Sequence, residues 1–322
     1  MYLFMIDNLL RLLIKTPLNR KLQKLSSSIS GFTMVELLVA TIMATIIIVP
    51  ILTFVVDITD RDIKEQAKTN SQQELQAAVD YIVQDMSQAF YIYDLNKEGK
   101  TEDEKTTIDN FIAQLPHPPS EDAGGEKEPI LVFWKREFVE DALAPSGSIC
   151  TDTTEPINCN DTFVQSLVAY YLIDDNNTTW CQPGTGNCAK RIGRFQIQDG
   201  VTETQNNNYV CGTNGRDDTI CNTTEKKKFM RDAGYSKYNN DPESWTKENE
   251  TYTKDVLVLV NYIEGFTLDS VSTKNNLAKI TIRGDALRRM QANNADCSDK
   301  NTTYCPKATA QVGARSGFGT SE

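Results

Sequence analysis

Ser30-Gly31-Phe32-Thr33-Met34-Val35-Glu36, followed over residues 37–56 by LLVATIMATIIIVPILTFVV, is the stretch on which the reading of this chain turns. Residues 37–56 carry no charge. As a helix rising about 1.5 Å per residue they cover about 30 Å, the thickness of a bilayer core. A cleaved secretory signal has a shorter apolar region and a small-residue cleavage site after it. Here the chain runs directly into Asp57, Asp60 and Arg61 and on into helix-forming sequence. The expectation is a retained anchor over residues 32–56.

Charge is distributed to match. The 322 residues hold 33 basic and 44 acidic side chains, a net charge of −11. Residues 1–31 contain Arg11, Lys15, Arg20, Lys21 and Lys24 against Asp7 alone. Subtracting those five bases and one acid leaves 28 and 43, a net of −15. Basic residues ahead of an apolar span favour keeping that end in the cytoplasm. The acidic body speaks against nucleic acid as a partner, because a phosphate-binding surface needs a basic patch.

Glu36 is the unusual residue. A lone carboxylate at membrane depth costs several kcal/mol unless paired or protonated, which marks it as functional. Gly31, aromatic Phe32, Glu36 and an apolar span with basic residues upstream together resemble the leader junction of type IV prepilins and type II secretion pseudopilins, G-F-T-L-x-E, with Met34 in place of Leu. The resemblance implies cutting by a prepilin peptidase between Gly31 and Phe32, methylation of the new Phe32 amine, and pairing of Glu36 with such an amine on a neighbouring subunit. It also implies a cytoplasmic leader over 1–31, a single-pass inner-membrane protein with its C-terminal domain outside the cytoplasm, and as partners other pilin or pseudopilin subunits and an inner-membrane assembly platform. The first part of the leader is moderately apolar, which reads either as a surface helix or as a start codon placed too far upstream. Pro50 removes one helix hydrogen bond; a kink that helps packing and a tolerated membrane proline are equal alternatives.

Beyond the span, Ile58, Ile63, Ala67, Leu75, Ala78, Val79, Ile82, Met86, Ala89 and Phe90 recur mostly at steps of three and four. That spacing predicts an amphipathic continuation of the helix over 57–93. A second helix is expected at Ile108–Leu115. Strands are expected at Ile130–Trp134, Phe163–Ile173, Arg194–Ile197, Asp255–Tyr262, Gly265–Val271 and Leu277–Ile282, the last two joined through Asn275-Asn276. One long helix packed on an antiparallel sheet is α+β. The run Val258–Leu268 is similar to minor pseudopilins, in which a buried strand leads through a turn at Glu264-Gly265-Phe266 into a last hairpin. The extracytoplasmic domain is expected over 94–322, with an Asn-, Thr- and Gly-rich insertion at about 174–254.

Eight cysteines, all beyond residue 149, fall into neighbouring pairs: Cys150/Cys159, Cys181/Cys188, Cys211/Cys221 and Cys297/Cys305. An even count on one side of a span reads as disulfides in an oxidising space. Zinc pairs are spaced more closely. Sequence leaves the connectivity open among 105 pairings.

Asp94, Asn96 and Glu98 form a loose calcium-loop pattern, but the twelfth position is Lys105 where a glutamate is required. Asp217-Asp218 read as solvated loop acids, and Asn176-Asn177-Thr178 and Asn222-Thr223-Thr224 as chance sequons. The single histidine, His117, sits in a proline-rich loop, and no hydrolase, zinc-protease or P-loop pattern occurs, so no enzymatic activity is expected. The resemblance implies a minor, structural or tip subunit of a filament that secretes protein or polysaccharide. The Cys-rich loops are similar to those of pseudopilins of cyanobacterial hormogonium polysaccharide secretion. The alternative is a filament-borne adhesin or ligand-binding ectodomain.

Overall fold

The computed structural model describes residues 31–116, 126–144, 150, 159–174, 179–181, 188–203, 208–217, 219–237, 242–290, 297 and 302–314. Residues 1–30, His117, the 176–178 sequon and Asp218 lie outside them. The chain divides into two compact units, Met1–Ile58 and Thr59–Glu322.

Helix α1 runs from Met34 to Met86 and includes Pro50 without interruption. In the first unit its side chains are exposed and mostly apolar. In the second unit a stripe of Ala67, Ser71, Leu75, Ala78, Val79, Ile82, Asp85 and Met86 is buried. Steps of three and four place these residues on one helix face. The sequence pattern carries the helix on to Tyr93, but it stops at Met86, and Ala89–Ile92 form strand β1 instead. Ala89 and Ile92 are fully buried against the next strand, so sheet pairing wins over the local helical pattern.

A capping box starts helix α2, Glu102–Ile112: the Thr101 hydroxyl accepts from Glu104 N–H, and the Glu104 carboxylate accepts from Thr101 N–H. This helix begins six residues before the expected one because its first turn is acidic rather than apolar. The remaining strands are β2 (Glu126–Leu143), β3 (Asn160–Asp174), β4 (Lys190–Gln198), β5 (Leu257–Val271), β6 (Leu277–Gly284) and β7 (Lys307–Gly313). All seven pair antiparallel in sequence order. β1 and β7 escaped the sequence pattern because both are short, and the inward positions of β7 hold only Ala308, Ala310 and Val312.

The sheet is covered on both faces. Alternation sends Leu131, Phe133, Val168 and Tyr170 toward α1, where they join Leu75, Val79, Ile82 and Met86. Val132, Trp134, Leu167, Ala169 and Tyr171 face the other way, onto Tyr93, Phe111, Leu115, Tyr235 and Trp245. The stretch expected as one insertion over 174–254 is therefore divided. Strand β4 runs through it, and its second part supplies a third layer. Trp245 is buried, its ring 6.0 Å from that of Trp134, and its Nε1–H donates to Ser236 O at 3.0 Å. Burying an aromatic of that size contributes roughly 1.5–3 kcal/mol, which anchors a loop-rich segment with little regular structure. A smaller core gathers Val139, Val164, Val201, Val210, Phe229 and the Cys211–Cys221 bridge.

Strand β5 does not turn at Glu264-Gly265-Phe266. It continues as one strand with a register shift between Ile263 and Gly265 and with Tyr262 at φ 59°. Up to Ile263 it pairs with β4, and from Ile263 onward with β6. The bulge re-aims the strand from one partner to the other. The tip of the β5–β6 hairpin then meets β1: Ile92 N–H donates to Asn275 O at 2.8 Å, with Asn275 at φ 53°. Gly284, at the end of β6, lies so close to α1 that a Cβ there would stand 2.8 Å from Ser71 Oγ and 2.9 Å from Leu75 Cδ1.

Candidate functional site

Gly31, Phe32 and Glu36 lie together at the start of α1. Gly31 precedes the helix, and nothing stands within 4 Å of where its Cβ would be. Phe32 is 80% exposed.

Thr33 is the N-cap, which the sequence reading missed. Its hydroxyl oxygen accepts from Glu36 N–H at 3.3 Å, and Leu37 N–H donates to Thr33 O at 3.2 Å. T-x-x-E ahead of an apolar run is a capping-box pattern, so the signal was present in Thr33-Met34-Val35-Glu36. Glu36 thus has a local role beside any intermolecular one: a carboxylate in the first turn interacts favourably with the helix dipole.

The helix that follows is long and apolar enough to cross a membrane. Its hydroxyls are satisfied internally. Thr41 donates to Leu38 O and Thr45 to Ile42 O, both at 2.8 Å, and Thr53 donates to Val49 O at 3.0 Å. Such back-bonding lets polar side chains sit in hydrocarbon without an orphaned donor.

A second constellation, also missed, holds the helix to the sheet in the other unit. Asp85 is 7% exposed. Its Oδ2 accepts from Tyr170 Oη at 2.7 Å and Arg194 Nε at 2.8 Å, and its Oδ1 stands 2.9 Å from Lys135 Nζ. Lys135 also lies 3.8 Å from Glu137, whose Oε2 accepts from Ser166 Oγ at 2.9 Å and from Gln196. Burial alone would raise the Asp85 pKa. The Arg194 hydrogen bond and the charges of Lys135 and Arg194 outweigh it and hold the carboxyl below its usual range. Burial together with the Asp85 charge pushes the Tyr170 hydroxyl well up. The clue in sequence is Asp85 itself, an acid on the apolar stripe between Ile82 and Met86.

Comparison of the chain with protein-family models, with curated proteins and with solved structures returns no match.

The loop at Asp94, Asn96 and Glu98 is held by its own hydrogen bonds and an ion pair. Asp94 Oδ2 lies 3.0 Å from Lys100 Nζ, which also donates to Asp94 O. The Asp94 and Asn96 side chains accept from the backbone N–H groups of Asn96 and Glu98. Asp217 Oδ1 accepts from Thr219 N–H and Oγ1. Glu264, Asp285 and Cys297 converge to within 4.8 Å, but Cys297 is bonded to Cys305 and offers no thiolate.

All four neighbouring cysteine pairs are disulfides: Cys150–Cys159, Cys181–Cys188, Cys211–Cys221 and Cys297–Cys305.

Proposed function

We propose that this chain is a minor pseudopilin: a structural or tip subunit of a type IV pilus-like or type II secretion-like filament that serves secretion of protein or polysaccharide. One observation carries the reading. An exposed Gly31-Phe32 junction stands immediately ahead of an uncharged, capped helix whose first turn holds Glu36. In this reading a prepilin peptidase cuts after Gly31. The open backbone there favours entry into a protease site. Phe32 becomes a methylated, positively charged amine. Glu36, one helical turn on, pairs with that amine on an adjacent subunit, because opposite charges in low dielectric offset one another's desolvation.

Four disulfides in the body support placing it outside the cytoplasm, behind a single inner-membrane span. An α+β body that buries a helix stripe against an antiparallel sheet is compatible with a pilin-like subunit. The chain is the substrate of an enzyme rather than one itself.

Mass spectrometry of the mature protein's amino terminus tests the proposal. Methyl-Phe32 is the expected result; an intact Met1, or a cut at another bond, rejects it. Glu36→Ala is expected to be cleaved normally yet to be missing from purified filaments.

A further inference from the structure

The partner exchange within β5 leaves residues 264–271 without a β4 partner among the described residues. On the β4 side, pairing ends at Lys190–Ile263. Residues 264–271 continue beyond it, bonded to β6 alone, and no backbone partner for their other edge lies among the described residues. At about 3.4 Å per residue this edge is roughly 27 Å long. Its residues 264–268 border a groove with a cavity volume of about 990 Å3, whose apolar lining includes Ile130, Leu172, Phe266 and Leu268.

The rim decides what the groove accepts. Its lysines already have partners: Lys97 lies 2.5 Å from Asp109, Lys105 2.8 Å from Glu102 and Lys190 3.4 Å from Asp174. Glu98, Glu128 and Glu264 line the same groove with no ion pair among the described residues. The uncompensated charge is acidic.

We propose that the edge of β5 from Glu264 to Val271 is a docking site for an extended, basic polypeptide segment of a partner protein, added as a further strand. A row of open N–H and C=O groups is complementary to another backbone in β conformation, and to few other ligands. The apolar floor takes every second side chain of such a strand, and the free glutamates select Lys or Arg on it. The inference is independent of the filament reading, because it uses only the sheet and its rim.

The test uses the full chain in detergent micelles. The probe is a synthetic peptide, acetyl-Lys-Val-Thr-Val-Lys-Val-Thr-Val-Lys-amide. Expected are saturable binding, slowed amide hydrogen exchange confined to 264–271 and its new neighbours, and loss of both when the peptide backbone is N-methylated. Replacing each peptide Lys by Glu, or combining Glu98→Lys with Glu128→Lys in the protein, is expected to weaken binding about tenfold or more. Both substitutions are on the groove's rim, and an unchanged melting temperature is the check that the fold is intact. Absence of protection at 264–271 at millimolar peptide overturns the proposal, as does equal binding of the acidic peptide. Protection that appears without peptide and grows with protein concentration assigns the edge to a second copy of this chain, and overturns it too.

Discussion

Asp85 on α1 and Arg194 on β4 are joined by a 2.8 Å hydrogen bond from Nε to Oδ2, 109 residues apart in sequence and inside the helix–sheet core. Lys135 on β2 and Tyr170 on β3 reach the same carboxylate. One buried acid thus ties the helix to three successive strands. Because each partner sits on a different strand, the cluster sets both the height and the rotation of this part of α1 on the sheet.

Removing one member strands the others. Asp85→Ala is expected to cost about 3–5 kcal/mol, the range for breaking a buried pair. In a body of this size that lowers the melting temperature by roughly 6–20 °C. Arg194→Ala is expected to cost nearly as much, and the double variant much less than the sum. Thermal unfolding of the four proteins checks it; additive losses would show that the two residues do not act together.

Acid should unfold the body through the same residue. The folded-state pKa of Asp85 is depressed. Its stabilisation is therefore complete above the unfolded value of about 3.9 and is lost as pH falls through the folded pKa. Asp199 and Asp232, whose carboxyls burial pushes up despite Lys237 and Lys254, act in the opposite sense. Their contribution is present below the unfolded value and lost as pH rises. Urea midpoints measured down to about pH 2 are expected to fall less steeply for Asp85→Asn than for the parent chain.

Trp245→Ala should show that the segment after β4 is part of the core. A loss of about 3–5 kcal/mol is expected, with exposure of Trp134 seen as a red shift in fluorescence. A loss near zero would mean that the third layer is a passive cover.

Cap and charge at the start of α1 can be separated. Thr33→Ala removes the acceptor for Glu36 N–H and should reduce helicity of the first turn, by about 1 kcal/mol, while leaving in place the filament incorporation that the proposed function requires. Glu36→Gln keeps that backbone donor and should abolish incorporation if the carboxylate is what a neighbour needs. Equal effects of the two would reduce Glu36 to a local helix-stabilising residue.

Reduction should act unevenly. Cys211 and Cys221 are fully buried in the small core with Val139 and Phe229. Cys211→Ser with Cys221→Ser is expected to cost about 2–4 kcal/mol. Peptide mapping without reduction should return the four neighbouring pairs.

The apolar run after Glu36, the amphipathic stripe from Ala67 to Met86 and the alternation in Leu277–Ile282 were legible because each is a local pattern with a fixed period. A helix buries residues at steps of three and four and a strand every second one, so the side chains themselves record the element. The Thr33–Glu36 cap was equally local, and readable. The end of α1 at Met86, the partner exchange in β5 and the meeting of Asp85 with Arg194 were not. Each depends on which residues far apart in the chain come to share a low-dielectric interior, and backbone propensity carries no information about that. Ala89–Ile92 reads as helix in isolation and becomes a strand because β2 offers it a ladder. Asp85 reads as a flaw in an apolar face and becomes its anchor because β2, β3 and β4 each bring a donor to it.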